Sequence, residues 1–282
     1  MPFYRDDCAK IHPIFTKTPV LKIITDIKAL YQPIQPLIQQ TADDVTYSEM
    51  LPDTPLIPFI HCYWELKTTR ALDSPFNYRV VADGCIDIFF ELQQPQESFV
   101  MGFCNQYTEF QLPHVFHYTG IRFLPTMFPQ IFAVNAAELS NRFEHLQAVV
   151  PATAKFIAEN LHPGLTMGQI KSLFDIHFSK LIAQTTFNAD GRLYEAINII
   201  LQHAGTLRTE KALDTGISPR QLRRLFEFYI GDTPKIFSKV VRFQNSLRTL
   251  PAGFDAGYYD QSHFIKDFRN FYGSTPGQAL NG

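Results

Sequence analysis

Three arginines fall within five positions of the stretch SPRQLRRLF, residues 218–226: Arg220, Arg223 and Arg224. At about 3.6 residues per turn they share one side of a helix with Gln221 beside them, and Leu222, Leu225 and Phe226 make the apolar side. A guanidinium presents a planar fork that fits guanine O6 and N7, and a Gln amide fits adenine N6 and N7. A row of cations also neutralises phosphates, which makes binding depend on salt. The chemistry is recognition of a polyanion, with no covalent step. An isolated RxxRR on a solvated helix would look the same, so the elements that position it decide.

Those elements are legible. Gly216 supplies a turn before the segment, Ser218 is a good N-cap, and Gly231 can end the helix in a left-handed conformation. The arrangement recurs 42 residues later, where DQSHFIKDFRNFYGSTP (260–276) parallels SPRQLRRLFEFYIGDTP (218–234). Leu222 matches Phe264, Arg224 matches Lys266, Phe226 matches Phe268, Gly231 matches Gly273, and Pro234 matches Pro276. Short helix, glycine turn, capped helix is a helix-turn-helix, and its second helix enters the major groove with its N-terminal residues toward the bases. In the second copy the outward positions are Gln261, Ser262, His263, Ile265 and Lys266. Ten residues (TLRTEKALDT) separate Gly205 from Gly216, enough for a short first helix. Only six (PAGFDA) separate Leu250 from Gly257, and they include a proline and a glycine. The second unit is therefore expected to lack most of its first helix, and the first unit to carry most of the DNA affinity.

The remainder of the chain is different in character. Residues 188–282 hold 12 Lys/Arg against 9 Asp/Glu, and residues 1–187 hold 13 against 18, so the formal net charge of −2 conceals a positive C-terminal end. With 282 residues, 45% hydrophobic and 18% charged, the composition fits a soluble globular chain with room for two domains. No apolar run reaches the roughly 18 residues needed to span a bilayer, and MPFYRDDCAK is unlike a signal peptide, so no membrane partner is expected. The four cysteines are scattered and read as reduced thiols of a cytoplasmic protein.

Residues 46–150 show short apolar or alternating runs (FIHCYWEL, YRVVADG, CIDIFFEL, SFVMGFC, YTEFQL, VFHYTGIRFL) punctuated by turn residues, the pattern of a β-sandwich or barrel. Residues 131–146, IFAVNAAELSNRFEHL, read as helical. Residues 1–45 form an extension with an amphipathic helix expected over 19–31. Residues 151–187 form a helical connector whose apolar face (Ile170, Leu173, Phe174, Ile176, Leu181, Ile182) suits core packing, with a dimer contact as the alternative. Residues 188–282 are all-helical. The fold class is α+β, a β-rich domain followed by an all-α domain with two helix-turn-helix units.

Other constellations in the β-rich part are weaker. His114 and His117 with Glu109 suggest a metal, but strand residues three apart face opposite ways and no third ligand has convincing spacing, so no metal or other cofactor is expected. Asp83-Gly84 with Asp87 reads as a turn entering a strand rather than as an acid pair. Trp64, the only tryptophan, with Tyr63, Phe89 and Phe90, reads as core, with an aromatic ligand wall as the minority reading. No GxSxG, P-loop or GxGxxG occurs, so the chain is not expected to be an enzyme.

GISPRQLRRLFEFYIGDTPKIFSKVVRF and GYYDQSHFIKDFRNFYGSTP, within residues 192–280, resemble the AraC/XylS family of transcription regulators. The resemblance implies two helix-turn-helix units joined by a long helix, reading successive major-groove segments of double-stranded DNA. It implies base-facing positions at Arg220, Gln221, Arg223 and Arg224, then Gln261, Ser262, His263 and Lys266. LIPFIHCYWEL, YRVVADGCIDIFFEL, VMGF and HYTGIRFLPTMF resemble the uncharacterised domain that precedes this module in one AraC-like subgroup. That implies a cupin-like fold that senses a small-molecule effector or forms a homodimer. The expected function is sequence-specific regulation of transcription. The alternative is a ligand-binding or interaction protein whose degenerate helix-turn-helix no longer reads DNA, and a small-molecule enzyme in the β-rich domain comes third.

Overall fold

The structure is a computed structural model that describes residues 27–35, 44–187, 190–207, 213–249 and 261–281. Among the described residues there are eight strands: β1 (Val45–Met50), β2 (Ile60–Thr68), β3 (Phe76–Val80), β4 (Ile86–Glu91), β5 (Ser98–Met101), β6 (Thr108–Leu112), β7 (His117–Phe123) and β8 (Phe143–His145). Six of them form an antiparallel sheet in the order β1-β2-β7-β4-β5-β8, and β3 pairs with β6 in a separate two-stranded sheet.

Alternation along the central strands sends side chains two ways. In β4, Ile86, Ile88 and Phe90 enter the core shared with the helices, whereas Asp87 and Phe89 face the small sheet. In β2, Tyr63 joins the helical side while Cys62, Trp64 and Leu66 join the layer between the sheets. Gly120 on β7 is required there, because a Cβ would lie 2.5 Å from the Trp64 indole and 2.6 Å from the Ile88 carbonyl oxygen. β1, with the weakly apolar sequence VTYSEM, is an element that periodicity alone does not flag.

The helix expected over 131–146 is not continuous. A short helix, α1 (Met127–Phe132), stops at Ala133 with φ +54°, a 3-10 turn follows at Ala136–Leu139, Asn141 is left-handed at φ +59°, and β8 begins two residues later. The left-handed residues break the helical path, and backbone pairing of residues 143–145 with β5 captures the end of the segment as an edge strand.

One turn, α2 (Leu146–Val149), leads to α3 (Pro151–Asn160) and α4 (Met167–Gln184). Thr166 and Gln169 close a capping box at the start of α4. Phe174 on α4 then packs 5.3 Å from Tyr63 and 6.4 Å from Phe90, ring centre to ring centre. The buried stripe is Ile170, Phe174, Phe178 and Ile182; Ile176, expected on the apolar side, is 57% exposed. This helix is a core element of the β-rich half.

α5 (Gly191–Gln202), α6 (Pro219–Tyr229), α7 (Pro234–Thr249), α8 (Gln261–Tyr272) and α9 (Pro276–Asn281) complete the chain. Their buried residues are continuous with those of the sheet, so one core runs through both halves. A β-rich region followed by a helical region is the α+β arrangement expected from sequence. Residues 27–30 form a helical turn, and the rest of the helix expected over 19–31 lies outside the described residues. So do residues 208–212 and 250–260, which carry the expected first helix of unit one and its expected loss in unit two. Among the described residues no helix is long and apolar enough to cross a membrane.

Candidate nucleic-acid interface

Local sequence builds α6 in four steps. Ser218 accepts from the Gln221 backbone N–H at 3.3 Å, and the Gln221 side-chain oxygen accepts from the Ser218 backbone N–H at 3.1 Å. Pro219 occupies the first turn, where no N–H is needed. Leu222 and Phe226 are buried. Gly231, at φ +110°, ends the helix, and its N–H donates to the Phe226 carbonyl at 3.1 Å.

Arg220, Arg223 and Arg224 are exposed on the opposite side, and among the described residues none makes an ion pair or hydrogen bond. Their forks are open to an incoming duplex. Gln221 is also exposed, but its carbonyl oxygen serves the cap, which leaves it less suited to bidentate reading of adenine.

In the second unit Gln261, Ser262, His263 and Lys266 are exposed on the first two turns of α8, while Phe264 and Phe268 are buried. Ser262, Ile265, Lys266 and Arg269 line a groove beside Tyr107 of the β-rich half. With Lys266 and Arg269 as its cations, this surface is less cationic than that of α6, which exposes three arginines. Asp267, which the sequence did not single out, ties the units together: it lies 3.2 Å from Lys239 and 2.9 Å from Arg242, both on the connecting helix α7.

The repeated glycines also fix the units onto the β-rich half. Ser140 Oγ donates to the Gly231 carbonyl at 2.5 Å, and a Cβ on Gly231 would lie 2.7 Å from that hydroxyl oxygen and 2.9 Å from Phe103 Cβ. At Gly273, φ +92°, a Cβ would lie 2.9 Å from Arg79 Nε. Arg79 donates to Glu109 at 2.7 Å, stands over the Tyr107 ring at 5.2 Å and reaches the Tyr272 carbonyl at 3.4 Å. The Tyr107 N–H donates to the Asn270 carbonyl at 3.1 Å, and Asn270 returns a bond to Asn105 at 2.8 Å. α6 and α8 are thus each docked at the C-terminal end, with the N-terminal end left outward.

Between the two sheets lies a cavity of about 90 Å³. Trp64 and Phe89 are in its wall, whereas Tyr63 and Phe90 are in the helical core, so the four aromatics considered together in the sequence divide by strand alternation. Asp87 lies on a strand after the Asp83-Gly84 turn, as expected, and Asp83 and Asp87 in addition meet around Arg122. The Gly84 turn does form, at φ +73°. Arg122 Nε lies 3.2 Å from Asp83, and its Nη2 lies 3.1 Å from Asp87. Trp64 Nε1 donates to Asp87 at 3.0 Å. Burial pushes the Asp87 carboxyl up to about 7, and the Arg122 charge pulls against that shift. Arg122 stands 35 positions from Asp87, and only strand pairing brings them together.

His114 Nδ1 donates to the Leu72 carbonyl at 2.8 Å, His117 pairs with Glu65 at 2.7 Å, and Glu109 pairs with Arg79, so these three do not converge. A different group, Glu49, His61 and Cys62, has ligand atoms within 4.8 Å of one another. Lys28 Nζ sits 2.9 Å from His61 Nδ1, a cation where a metal would need a lone pair.

Residues 212–282 match a family described as a helix-turn-helix domain, and residues 48–145 match a family described as a domain of unknown function (DUF6597). No curated protein matches the sequence. Among solved structures the chain is similar to an apo variant of ToxT from Vibrio cholerae, with TM-score 0.42 and 13% identity over 77% of this chain and 97% of that one. It is also similar to wild-type ToxT of Vibrio cholerae with an unsaturated fatty acid bound, with TM-score 0.36 and 11% identity over 85% and 97% of the two chains. At its C-terminal end the chain carries a helix-turn-helix domain of the AraC type, and before it a domain of unknown function.

Proposed function

We propose that the chain is a DNA-binding regulator of transcription, working in the cytoplasm, whose residues 188–282 read duplex DNA and whose residues 46–150 sense a small ligand. The observation that carries the reading is the set of three unpartnered, exposed guanidinium groups on a capped helix beside a second, similar helix. Arg220, Arg223 and Arg224 supply phosphate and base contacts, and the second helix adds Gln261, Ser262, His263 and Lys266.

Control by a ligand is supported by the position of the cavity. Gly102 and Cys104 line it, and Phe103 between them packs against Gly231. Val80 lines it too, next to Arg79, which holds Gly273. A molecule that moved these walls would move the seats of both reading helices.

Fluorescence anisotropy with a labelled random duplex at two salt concentrations tests DNA binding, and footprinting of genomic fragments then finds the preferred site. Binding should weaken with salt by a slope of about −0.9 per neutralised phosphate. Absence of binding at low salt by a folded chain would leave the degenerate-module alternative.

A further inference from the structure

The cavity floor has an unbalanced charge. One guanidinium, Arg122, stands between two buried carboxylates, Asp83 and Asp87, whose side chains are 11% and 15% exposed. Buried charge is stable only when paired, so one negative charge here lacks a counterpart. Burial raises the Asp87 carboxyl, and the neighbouring Asp83 charge adds to the shift against the pull of Arg122. Among the described residues each carboxylate keeps one oxygen with a single hydrogen bond: Asp87 Oδ1 takes Arg122 Nε, at 3.3 Å, and Asp83 Oδ1 takes the Cys85 N–H, at 3.0 Å. A carboxylate oxygen accepts two, so each has room for another donor.

Five aromatic side chains, Trp64, Tyr78, Phe89, Phe110 and Tyr118, are in the cavity wall. Phe89, Phe110, Phe143 and Phe99 form a closed ring of contacts, with successive centroids 6.2, 5.8, 5.7 and 5.6 Å apart. Phe89 and Phe110 belong to the cavity, and Phe143 is 48% exposed beside it. Aromatic faces carry negative potential and attract organic cations most strongly where water is excluded.

The geometry points to a small lipophilic organic cation as the ligand of this cavity, an aromatic amine in its simplest form, with its ammonium on Asp83 and Asp87 and its ring among the phenylalanines. A carboxylate ligand is disfavoured by the same arrangement. Two of the Arg122 nitrogens are committed to acids; Nη1 is buried 3.5 Å from Glu49 with no hydrogen bond among the described residues, but Asp83, Asp87 and Glu49 around it would repel an anion. A polyol would leave most of its hydroxyls against aromatic carbon, at the cost of unmade hydrogen bonds. The inference deepens the ligand-sensing part of the proposed function and rests on it only for its regulatory meaning.

The chain supplies its own reporter, because its single tryptophan, Trp64, donates to Asp87. The full chain is titrated with 2-phenylethylamine, 2-phenylethanol and 3-phenylpropanoate, which share the ring but carry a positive, neutral or negative head. The amine should shift Trp64 emission saturably and raise the melting temperature, with the other two weaker by at least about tenfold. Asp87→Asn should weaken the amine by a similar factor. Should that variant fail to fold, the ranking of the three probes on the unmodified chain decides alone. Equal or tighter binding of the alcohol or the carboxylate, or no saturable response to the amine by a folded chain, overturns the inference. Amine binding without DNA binding would remove the regulator reading and keep the ligand class; DNA binding without amine binding would do the reverse.

Discussion

Gln35 Nε2 donates to Asp83 Oδ2 at 2.8 Å, and the same oxygen lies 3.2 Å from Arg122 Nε on the cavity floor. The contact is one end of a polar path. Gln35 also accepts from the Val81 N–H at 3.0 Å, and its neighbour Ile34 exchanges two bonds with Gln244 on α7, at 2.8 and 3.2 Å. Gln244 Nε2 reaches the Ala82 carbonyl as well, at 2.8 Å. The segment 31–35 therefore links the acid pair to the helix that joins the two reading units.

Gln244→Leu should cut that path. It leaves the Ile34 N–H, the Ile34 carbonyl and the Ala82 carbonyl short of a partner in a buried place. A loss of about 1–3 kcal/mol is expected, read as a lower urea midpoint with an unchanged slope.

Arg220→Ala should weaken DNA binding far more than Gln261→Ala. Arg220 belongs to an open face of three arginines, and Gln261 opens a helix that exposes two cations, Lys266 and Arg269. If Arg220 meets a phosphate, its removal also lowers the salt slope by about 0.9. Equal losses in the two variants, measured by anisotropy, would place the affinity in both units alike.

Gly231→Val should loosen the first unit from the β-rich half. The new side chain would adopt φ +110° and press on Ser140 and Phe103. Strain of this kind costs about 1–3 kcal/mol, and hydrogen exchange should speed up in α6 before it does in the central sheet.

The chain should lose stability as pH falls below neutrality. Burial, with the nearby Lys28 charge, pushes His61 down to about 2, and burial pushes His177, stacked 4.0 Å from Phe156, down to about 4. Both are neutral in the fold and have an ordinary value near 6.5 when unfolded. Between the two values the unfolded chain binds more protons, so their contribution is complete above about pH 6.5 and shrinks as pH falls. Asp87 acts in the reverse sense, since its folded value lies above the ordinary 3.8. His177→Gln isolates one share: its melting temperature should fall less than that of the parent between pH 7 and pH 5.

What the sequence revealed was local. The N-cap, the proline after it, the apolar stripe and the glycine stop of α6 all sit within one short segment, and periodicity finds them. The repeat is local too, since Thr233-Pro234 and Thr275-Pro276 restart a helix in the same way: each threonine caps the helix that follows, accepting from Ile236 at 3.3 Å and from Gln278 at 3.4 Å. What stayed hidden was non-local. Arg122 is the partner of Asp83 and Asp87 only because β7 lies beside β4. Ser140 meets Gly231 across 91 positions, and nothing in either neighbourhood announces the other. The sequence marks Gly231 and Gly273 as helix stops; only the fold makes them points of close approach as well.

Phe237 on α7 lies 3.3 Å from the point where Gly84 would carry a Cβ, and its ring centre is 6.4 Å from that of Tyr31. An excised C-terminal fragment would open this seam and bare its grease to water, so it should clump rather than serve as a free-standing reader. For the same reason chimaeras with a foreign front half should fail unless the seats for Phe237, Gly231 and Gly273 are transplanted as a set.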